Sequence, residues 1–127
     1  MISLDSDNIN EFIELVNDLG FIPKIPVKIE ELGNPEKVEA WKKEKHLKVF
    51  SVYNPQNELE HIDLMIENYI DFETAYINRE VVSAKGIAIS VISIDDLIKL
   101  KKRAGRKRDE LDIKALLKIK EIKDEQR

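Results

Sequence analysis

The sequence predicts an α+β fold in which helices cover a small mixed or antiparallel sheet. Several segments repeat their apolar residues every three or four positions, as amphipathic helices do. Other segments are short, apolar and bounded by turn residues, as strands are. The chain has 127 residues, 43% of them hydrophobic and 36% charged, which suits one domain over residues 1–127.

Composition excludes several classes of protein. No window approaches about 18 uncharged apolar residues, so we expect no membrane span. The first residues have neither a basic start nor an apolar core, which argues against a secretory signal. The absence of cysteine excludes disulfide scaffolds and thiolate metal sites, and favours a cytoplasmic location. The formal charge of -4 argues against indiscriminate nucleic-acid binding.

The chain opens with a predicted strand and helix. Residues 2–4 are β-prone, and residues 5–8 supply Asp, Ser and Asn side chains that cap helices. Gly20 suits the left-handed cap at the helix end. The apolar stripe between them consists of Ile9, Phe12, Ile13, Val16 and Leu19. Because nothing adjacent covers the other side of strand 2–4, its partner would come from elsewhere in the chain or from another molecule.

An extended crossing and a second helix follow. Pro23 and Pro26 forbid continuation of the first helix. Asn34-Pro35 resembles an N-cap followed by proline at the first helical position, so we expect a surface helix over residues 36–45. Its few apolar residues make Val38 and Trp41 the expected anchors to the core.

Two strands that pair antiparallel are expected next, over residues 47–53 and 59–67, joined by a turn at residues 54–57. The second strand alternates strictly between an apolar and a mixed face. The apolar face carries Ile62, Leu64 and Ile66, and the other carries His61, Asp63 and Met65.

The second half predicts a short helix, a hairpin and two helices. The short helix covers residues 70–77. Residues 81–84 and 87–92 flank Lys85-Gly86, a two-residue hairpin turn. Ser93 caps a helix that Gly105 ends. A last helix over residues 108–123 is expected to direct one apolar set inward, namely Leu111, Ala115, Leu116, Ile119 and Ile122.

Asp63 is the first candidate for chemistry, because it places a carboxylate within a predicted strand between Ile62 and Leu64. In a buried setting such a carboxylate needs a cation, a metal or several hydrogen-bond donors. On a solvated sheet face it needs none. The alternation alone leaves both interpretations open and favours the solvated one.

Two acidic patterns resemble metal sites weakly. His61 and Asp63 share a strand face, which is compatible with a metal, but the chain has one other histidine, His46, and no second acid nearby. Asp5 and Asp7 have Asp-x-Asp spacing, as in some magnesium sites. Helix capping explains these two residues more simply.

A basic cluster surrounds Gly105. It consists of Lys99, Lys101, Lys102, Arg103, Arg106, Lys107 and Arg108. These cations could pair with Asp109, Glu110 and Asp112 and complement the dipole of the preceding helix. They could equally bind a polyphosphate or an RNA backbone. The four glycines lie too far apart for a P-loop or a dinucleotide fingerprint.

A longer pattern supports a family resemblance. The run Val91–Lys101, VISIDDLIKLK, is followed by Gly105-Arg106-Lys107-Arg108-Asp109 and Asp112. It resembles the carboxyl-terminal motif of the minimal nucleotidyltransferases, in the DNA polymerase β-like superfamily with its abortive-infection toxin-like group. Upstream, residues 60–66, 70–72, the hairpin around Gly86 and residues 20–23 also fit.

The resemblance implies a nucleotidyltransferase-like fold and a reaction. That reaction transfers a nucleoside monophosphate from a nucleoside triphosphate to an RNA or protein acceptor, with Mg²⁺ held by three carboxylates on the central sheet. Asp63 matches the third carboxylate, and thus a catalytic and metal-binding residue. Lys101 and Arg106 match basic positions to which we assign a nucleotide phosphate-facing role. Asp96, Asp109 and Asp112 are expected to anchor the helix junction.

The sequence departs from the family at its start. The family begins with a helix, a Gly-Ser or Gly-Gly turn, and a strand carrying an Asp-x-Asp or Asp-x-Glu pair, whereas Asp5 and Asp7 come too late to be that pair. The chain therefore resembles an amino-terminally truncated nucleotidyltransferase, and we expect it to be inactive alone.

Two other functions are compatible with the sequence. One is a non-catalytic interaction module that pairs with itself or with a toxin–antitoxin or regulatory partner through strand 2–4. The other is RNA binding through residues 99–108.

Overall fold

The fold is α+β, as the sequence predicts, but its strands form two small antiparallel sheets. The computed structural model describes residues 1–67 and 69–126. It divides the chain into two compact units, Met1–Asn68 and Tyr69–Arg127. The first unit contains a three-stranded sheet and the second a two-stranded sheet.

The first unit combines two α-helices with the three-stranded sheet. Its elements in chain order are α1 (Ser6–Leu19), β1 (Ile22–Pro23), a 3₁₀ helix (Ile29–Gly33), α2 (Pro35–Glu44), β2 (Val49–Asn54) and β3 (Asn57–Met65). The strand order is β1-β2-β3, with both pairs antiparallel.

Both ends of α1 follow from local chemistry. The Asp5 carboxylate accepts a hydrogen bond from the Asn8 backbone N–H at 2.9 Å, which satisfies one free amide of the first turn. Gly20 ends the helix with φ of 71°, a left-handed conformation that glycine adopts without a side-chain clash. The predicted caps of this helix are confirmed.

The predicted strand at residues 2–4 is wrong. These residues are not in a strand, and Ile2 and Leu4 instead pack against the hydrophobic core of the first unit. The Ser3 hydroxyl donates to the Asp5 carboxylate at 2.8 Å, which holds this segment at the start of α1. Apolar burial and cap chemistry therefore account for the β-prone residues without strand pairing. The partner hypothesis loses the strand that motivated it.

The sheet directs one face into the core of the first unit. Phe50 and Val52 on β2 and Leu64 on β3 are buried, which confirms the predicted alternation. Trp41 on α2 stacks on Phe50 with ring centroids 5.6 Å apart, and anchors that helix to the sheet as predicted. The Asn34 side chain caps α2.

The second unit combines a hairpin with three helices. Its elements are α3 (Phe72–Ile77), β4 (Glu80–Ala84), β5 (Ile87–Val91), α4 (Ile94–Ala104) and α5 (Lys107–Glu125). The hairpin turn at Lys85-Gly86 is confirmed, with φ of 51° and 79° at the two residues. Two consecutive positive φ values match the twist of an antiparallel pair.

The second unit confirms the helix caps but not the predicted inward face of α5. Ser93 caps α4 and Gly105 ends it. Leu111 is 66% exposed, and Ala115, Ile119 and Ile122 are exposed as well, whereas Leu116 is half-buried. The less exposed positions are Asp109, Ile113, Leu116 and Lys120. This set recurs at intervals of three and four residues and thus forms a different face.

None of the helices in the described residues is both long and apolar enough to cross a membrane.

Candidate functional site

Asp63 lies on the outer face of the sheet in the first unit. It occupies β3 opposite Ser51 of β2, and its side chain is 53% exposed. The Ser51 hydroxyl donates to Asp63 Oδ1 at 2.6 Å. The solvated interpretation of this carboxylate is therefore the correct one, and the carboxylate is accessible to a ligand.

His61 lies beside Asp63 on the same face. Its Nε2 is 3.9 Å from Asp63 Oδ2, and its side chain is 44% exposed. The other ring nitrogen, Nδ1, is 3.2 Å from the backbone oxygen of Leu59. The strand spacing thus brings an imidazole and a carboxylate together, as the sequence predicts for residues two apart.

The residues around Asp63 do not fit a site for two Mg²⁺ ions. Among residues 1–67 and 69–126, no group of three or more His, Cys, Asp or Glu side chains is placed to hold a metal ion. Asp5 is occupied with capping α1, as expected. The backbone N–H of Asn8 and the Ser3 hydroxyl lower the pKa of Asp5, because both donate to its ionised form.

Lys101 and Arg106 meet at a buried carboxylate in the second unit. Asp109, whose side chain is 1% exposed, accepts from Arg106 Nε at 2.8 Å and lies 3.7 Å from Lys101 Nζ. Lys101 also donates to Asp112 at 2.7 Å. The backbone N–H of Arg106 donates to Asp109 as well, at 3.1 Å. These contacts join the end of α4 to the start of α5.

The ion pairs shift the ionisation of this junction. The Arg106 side chain, which hydrogen-bonds the carboxylate, lowers the pKa of Asp109, and the backbone N–H of Arg106 and the charge of Lys101 act in the same direction. Conversely, the hydrogen bond to Asp109 raises the pKa of Arg106. Lys101 and Arg106 therefore form ion pairs with acidic side chains. This is one of the two interpretations that the sequence allows for the basic cluster.

Other members of the basic cluster remain at the surface. Lys102, Lys107 and Arg108 are exposed, and Arg103 lies 4.8 Å from the centre of the Tyr69 ring. Lys99 is 3.5 Å from Asp96. RNA binding through this cluster stays a prediction, and it would depend on the exposed cations rather than on Lys101 and Arg106.

Ser93 caps α4 as predicted, and Asp96 lies in the first turn of that helix. The Ser93 hydroxyl accepts from the Asp96 backbone N–H at 3.2 Å. The Asp96 side chain is 6% exposed, and its Oδ2 is buried with no hydrogen-bond partner among the described residues.

Sequence reasoning missed the role of Ser51, and it named Asp109 without predicting that this residue is buried. The hydroxyl of Ser51 has no sequence signal beyond its position across the hairpin from Asp63. The depth of Asp109 could have been anticipated, because Arg106 and Asp109 are separated by three residues at a helix start, the spacing of an N-terminal cap interaction.

A cavity of about 280 Å³ lies within the first unit between α1, the 3₁₀ helix and α2. Its lining includes Leu4, Ile9, Leu32, Val38 and Ile66, with Glu39 and Lys42 among the polar residues. None of the predicted site residues lines it.

Asp63 belongs to the first unit, and Lys101 and Arg106 belong to the second. Comparison of the chain with protein-family models, with curated proteins and with solved structures found no match.

Proposed function

We propose that the chain is a nucleotidyltransferase-like protein in which Asp63 is one of the three metal-facing carboxylates that the family reaction requires. The family reaction transfers a nucleoside monophosphate from a nucleoside triphosphate to an RNA or protein acceptor. In this proposal the chain alone transfers no nucleotide, because one carboxylate does not suffice for the Mg²⁺ ions of that reaction.

The observation that carries the proposal is the position of Asp63. Its carboxylate lies on β3, is exposed, and accepts a hydrogen bond from the Ser51 hydroxyl, and within residues 1–67 and 69–126 no Lys or Arg forms an ion pair with it. An exposed carboxylate oxygen at this position is open to a cationic ligand from the solvent side. This supports a ligand-binding role for Asp63.

The junction between α4 and α5 gives secondary support. The family resemblance expects Asp109 and Asp112 to anchor these helices, and both acids form ion pairs with Lys101. Cations of the same cluster would bind the nucleotide phosphates. To do so, they would have to exchange an acidic partner for a phosphate or contact both at once.

Label transfer tests the proposal directly. The purified chain is incubated with each labelled nucleoside triphosphate, Mg²⁺ and a mixture of cellular RNA and protein acceptors. We expect no transfer above a blank without protein. If the wild-type chain transferred label robustly and Asp63→Asn abolished this transfer, the expected inactivity of the chain would be wrong. The catalytic role of Asp63 would then be supported.

A longer chain tests the assignment of Asp63 itself. The reading frame upstream of Met1 is sequenced, and any in-frame segment with a Gly-rich turn and an acidic pair is added to the protein. The proposal expects transfer by the extended chain and a loss of about 10³-fold or more in Asp63→Asn. Asp7→Asn, which changes an acid in the first turn of α1, is the matched control. Equal activity of the two variants would remove Asp63 from the proposed site.

A further inference from the structure

The outer face of the first unit's sheet brings two potential metal ligands together in a defined orientation. We propose that His61 Nε2 and Asp63 Oδ2 bind one borderline divalent transition-metal ion of the Zn²⁺ class. The site shares Asp63 with the proposed function, but it does not depend on nucleotide transfer or on Mg²⁺.

The imidazole of His61 is oriented for such an ion. A backbone oxygen can only accept a hydrogen bond, so the contact of 3.2 Å between Nδ1 and the Leu59 oxygen places the ring proton on Nδ1. In the neutral ring, Nε2 then carries the free lone pair and faces Asp63. Metal-binding histidines usually have their second nitrogen fixed in this way.

The carboxylate of Asp63 is oriented in the same manner. The Ser51 hydroxyl donates to Oδ1 at 2.6 Å, which leaves Oδ2 directed toward His61. Ser51 and Leu59 thus orient the two ligands through hydrogen bonds, as the groups that surround metal ligands usually do.

The separation of the two ligand atoms suits one bridging ion. Nε2 and Oδ2 are 3.9 Å apart, which is too long for a direct hydrogen bond. Two ligands at about 2.1 Å from a tetrahedral Zn²⁺ ion lie about 3.4 Å apart. A side-chain movement of about 0.5 Å would therefore close the site.

The donor set selects the class of metal. One imidazole nitrogen and one carboxylate oxygen suit Zn²⁺, Ni²⁺ or Co²⁺, whereas Mg²⁺ prefers oxygen ligands alone. Two protein ligands leave the remaining positions to water, so the site is open to solvent and weaker than a four-ligand structural site.

Isothermal titration calorimetry of the full chain with ZnCl₂, in a buffer that does not chelate metal, tests the site. We expect one saturable equivalent of Zn²⁺. His61→Gln and Asp63→Asn should each weaken binding by at least about tenfold, and an excess of Mg²⁺ should not displace the ion. Circular dichroism verifies that the variants remain folded, as expected for exposed side chains.

His46→Asn is the matched control. It removes the other histidine, and asparagine tolerates the positive φ of 51° at that position; Zn²⁺ binding should be unchanged. In the wild-type protein, NMR should show Zn²⁺-dependent shifts of the His61 imidazole and not of His46. Absence of saturable binding, binding that survives both site variants, or shifts at His46 alone would overturn the proposal.

Failure of this site and failure of the proposed function are distinguishable. Zn²⁺ binding by the present chain requires His61 and is measured without nucleotide, whereas label transfer by an extended chain requires Asp63 and Mg²⁺. Loss of label transfer in Asp63→Asn, with no Zn²⁺ binding by the wild type, would support the proposed function and reject the zinc site.

Discussion

Asp109 is the most buried charged side chain in the described part of the second unit. A carboxylate removed from water is costly unless charges and hydrogen bonds replace its hydration. Arg106 and Lys101 supply this compensation, through contacts of 2.8 Å and 3.7 Å. The residue therefore acts as a structural connector between two helices, and its removal leaves two cations without their shared partner.

Asp109→Asn should lower the melting temperature of the second unit by several degrees and flatten its acid dependence. The folded-state pKa of Asp109 lies below its ordinary value of 3.8. The ionised group therefore contributes stability that is fully present above about pH 4 and is lost as the pH falls through the lower folded value. Thermal melts followed by circular dichroism measure both effects. A range from about pH 2.5 to about pH 7 includes the ordinary pKa of an aspartate side chain.

Asp112→Asn is the control for that prediction, because its carboxylate pairs with the same Lys101 but is 49% exposed. Exposed ion pairs contribute little to stability, so this variant should melt close to the wild type. Equal losses of melting temperature in the two variants would show that the burial of Asp109 does not determine its contribution to stability.

The arrangement of His61, Asp63 and Ser51 is only partly predictable from the sequence. The shared face of His61 and Asp63 follows from strand periodicity, because side chains two apart lie on one side of a sheet. The hydrogen bond from Ser51 depends on the register of β2 with β3, which pairs Ser51 with Asp63. That register requires knowledge of the turn, including the irregularity between Tyr53 and Asn54.

At the scale of elements, α5 turns a face toward its surroundings that differs from the one its apolar pattern predicts. The stripe Leu111, Ala115, Ile119 and Ile122 forms one face, yet the helix presents Asp109, Ile113 and Leu116 as its less exposed face. Pairs from Lys101 to Asp112 and from Lys120 to Asp95, each 2.7 Å long, connect α5 to α4. Asp109, the most buried residue of the helix, lies on this less exposed face.

Leu116→Lys should destabilise the second unit by about 1–3 kcal/mol, because it places an ammonium group on the less exposed face of α5. Leu111→Lys, at a position that is 66% exposed, should change stability by less than about 0.5 kcal/mol. Chemical denaturation of both variants measures the difference. The opposite order of effects would favour the apolar stripe as the buried face.

Elements with strong local signals were predictable, and those without were not. α1 has a capping side chain at Asp5 and a left-handed glycine at Gly20, both readable from the sequence. The error at residues 2–4 arose because Ile and Leu side chains are equally suited to a strand and to an irregular segment packed on a core. Strand propensity reflects packing rather than a backbone preference alone.

At the scale of the whole molecule, the two units differ in how much apolar surface they bury. The core cluster of the first unit includes Val16, Phe50, Val52 and Ile66, each at most 1% exposed. In the described part of the second unit, the buried apolar residues are Ala75 and Ile98. Because apolar burial is the main favourable term in folding, the two units should not be equally stable.

Hydrogen exchange should reveal this inequality in the intact chain. Backbone amides of β2 and β3 should be protected at least about tenfold more strongly than those of β4 and β5, since exchange follows the free energy of local opening. Exchange followed by mass spectrometry of peptic fragments resolves the two hairpins. Equal protection of the hairpins would indicate that the chain unfolds as one cooperative body.

The stacking of Trp41 on Phe50 gives the molecule a built-in optical reporter. Trp41 is the only tryptophan of the chain and lies in the core of the first unit. Excitation near the red edge of indole absorption therefore senses this unit alone, whereas tyrosine emission has contributions from both. Comparing the two signals along a denaturant gradient can distinguish sequential from concerted melting without any introduced dye.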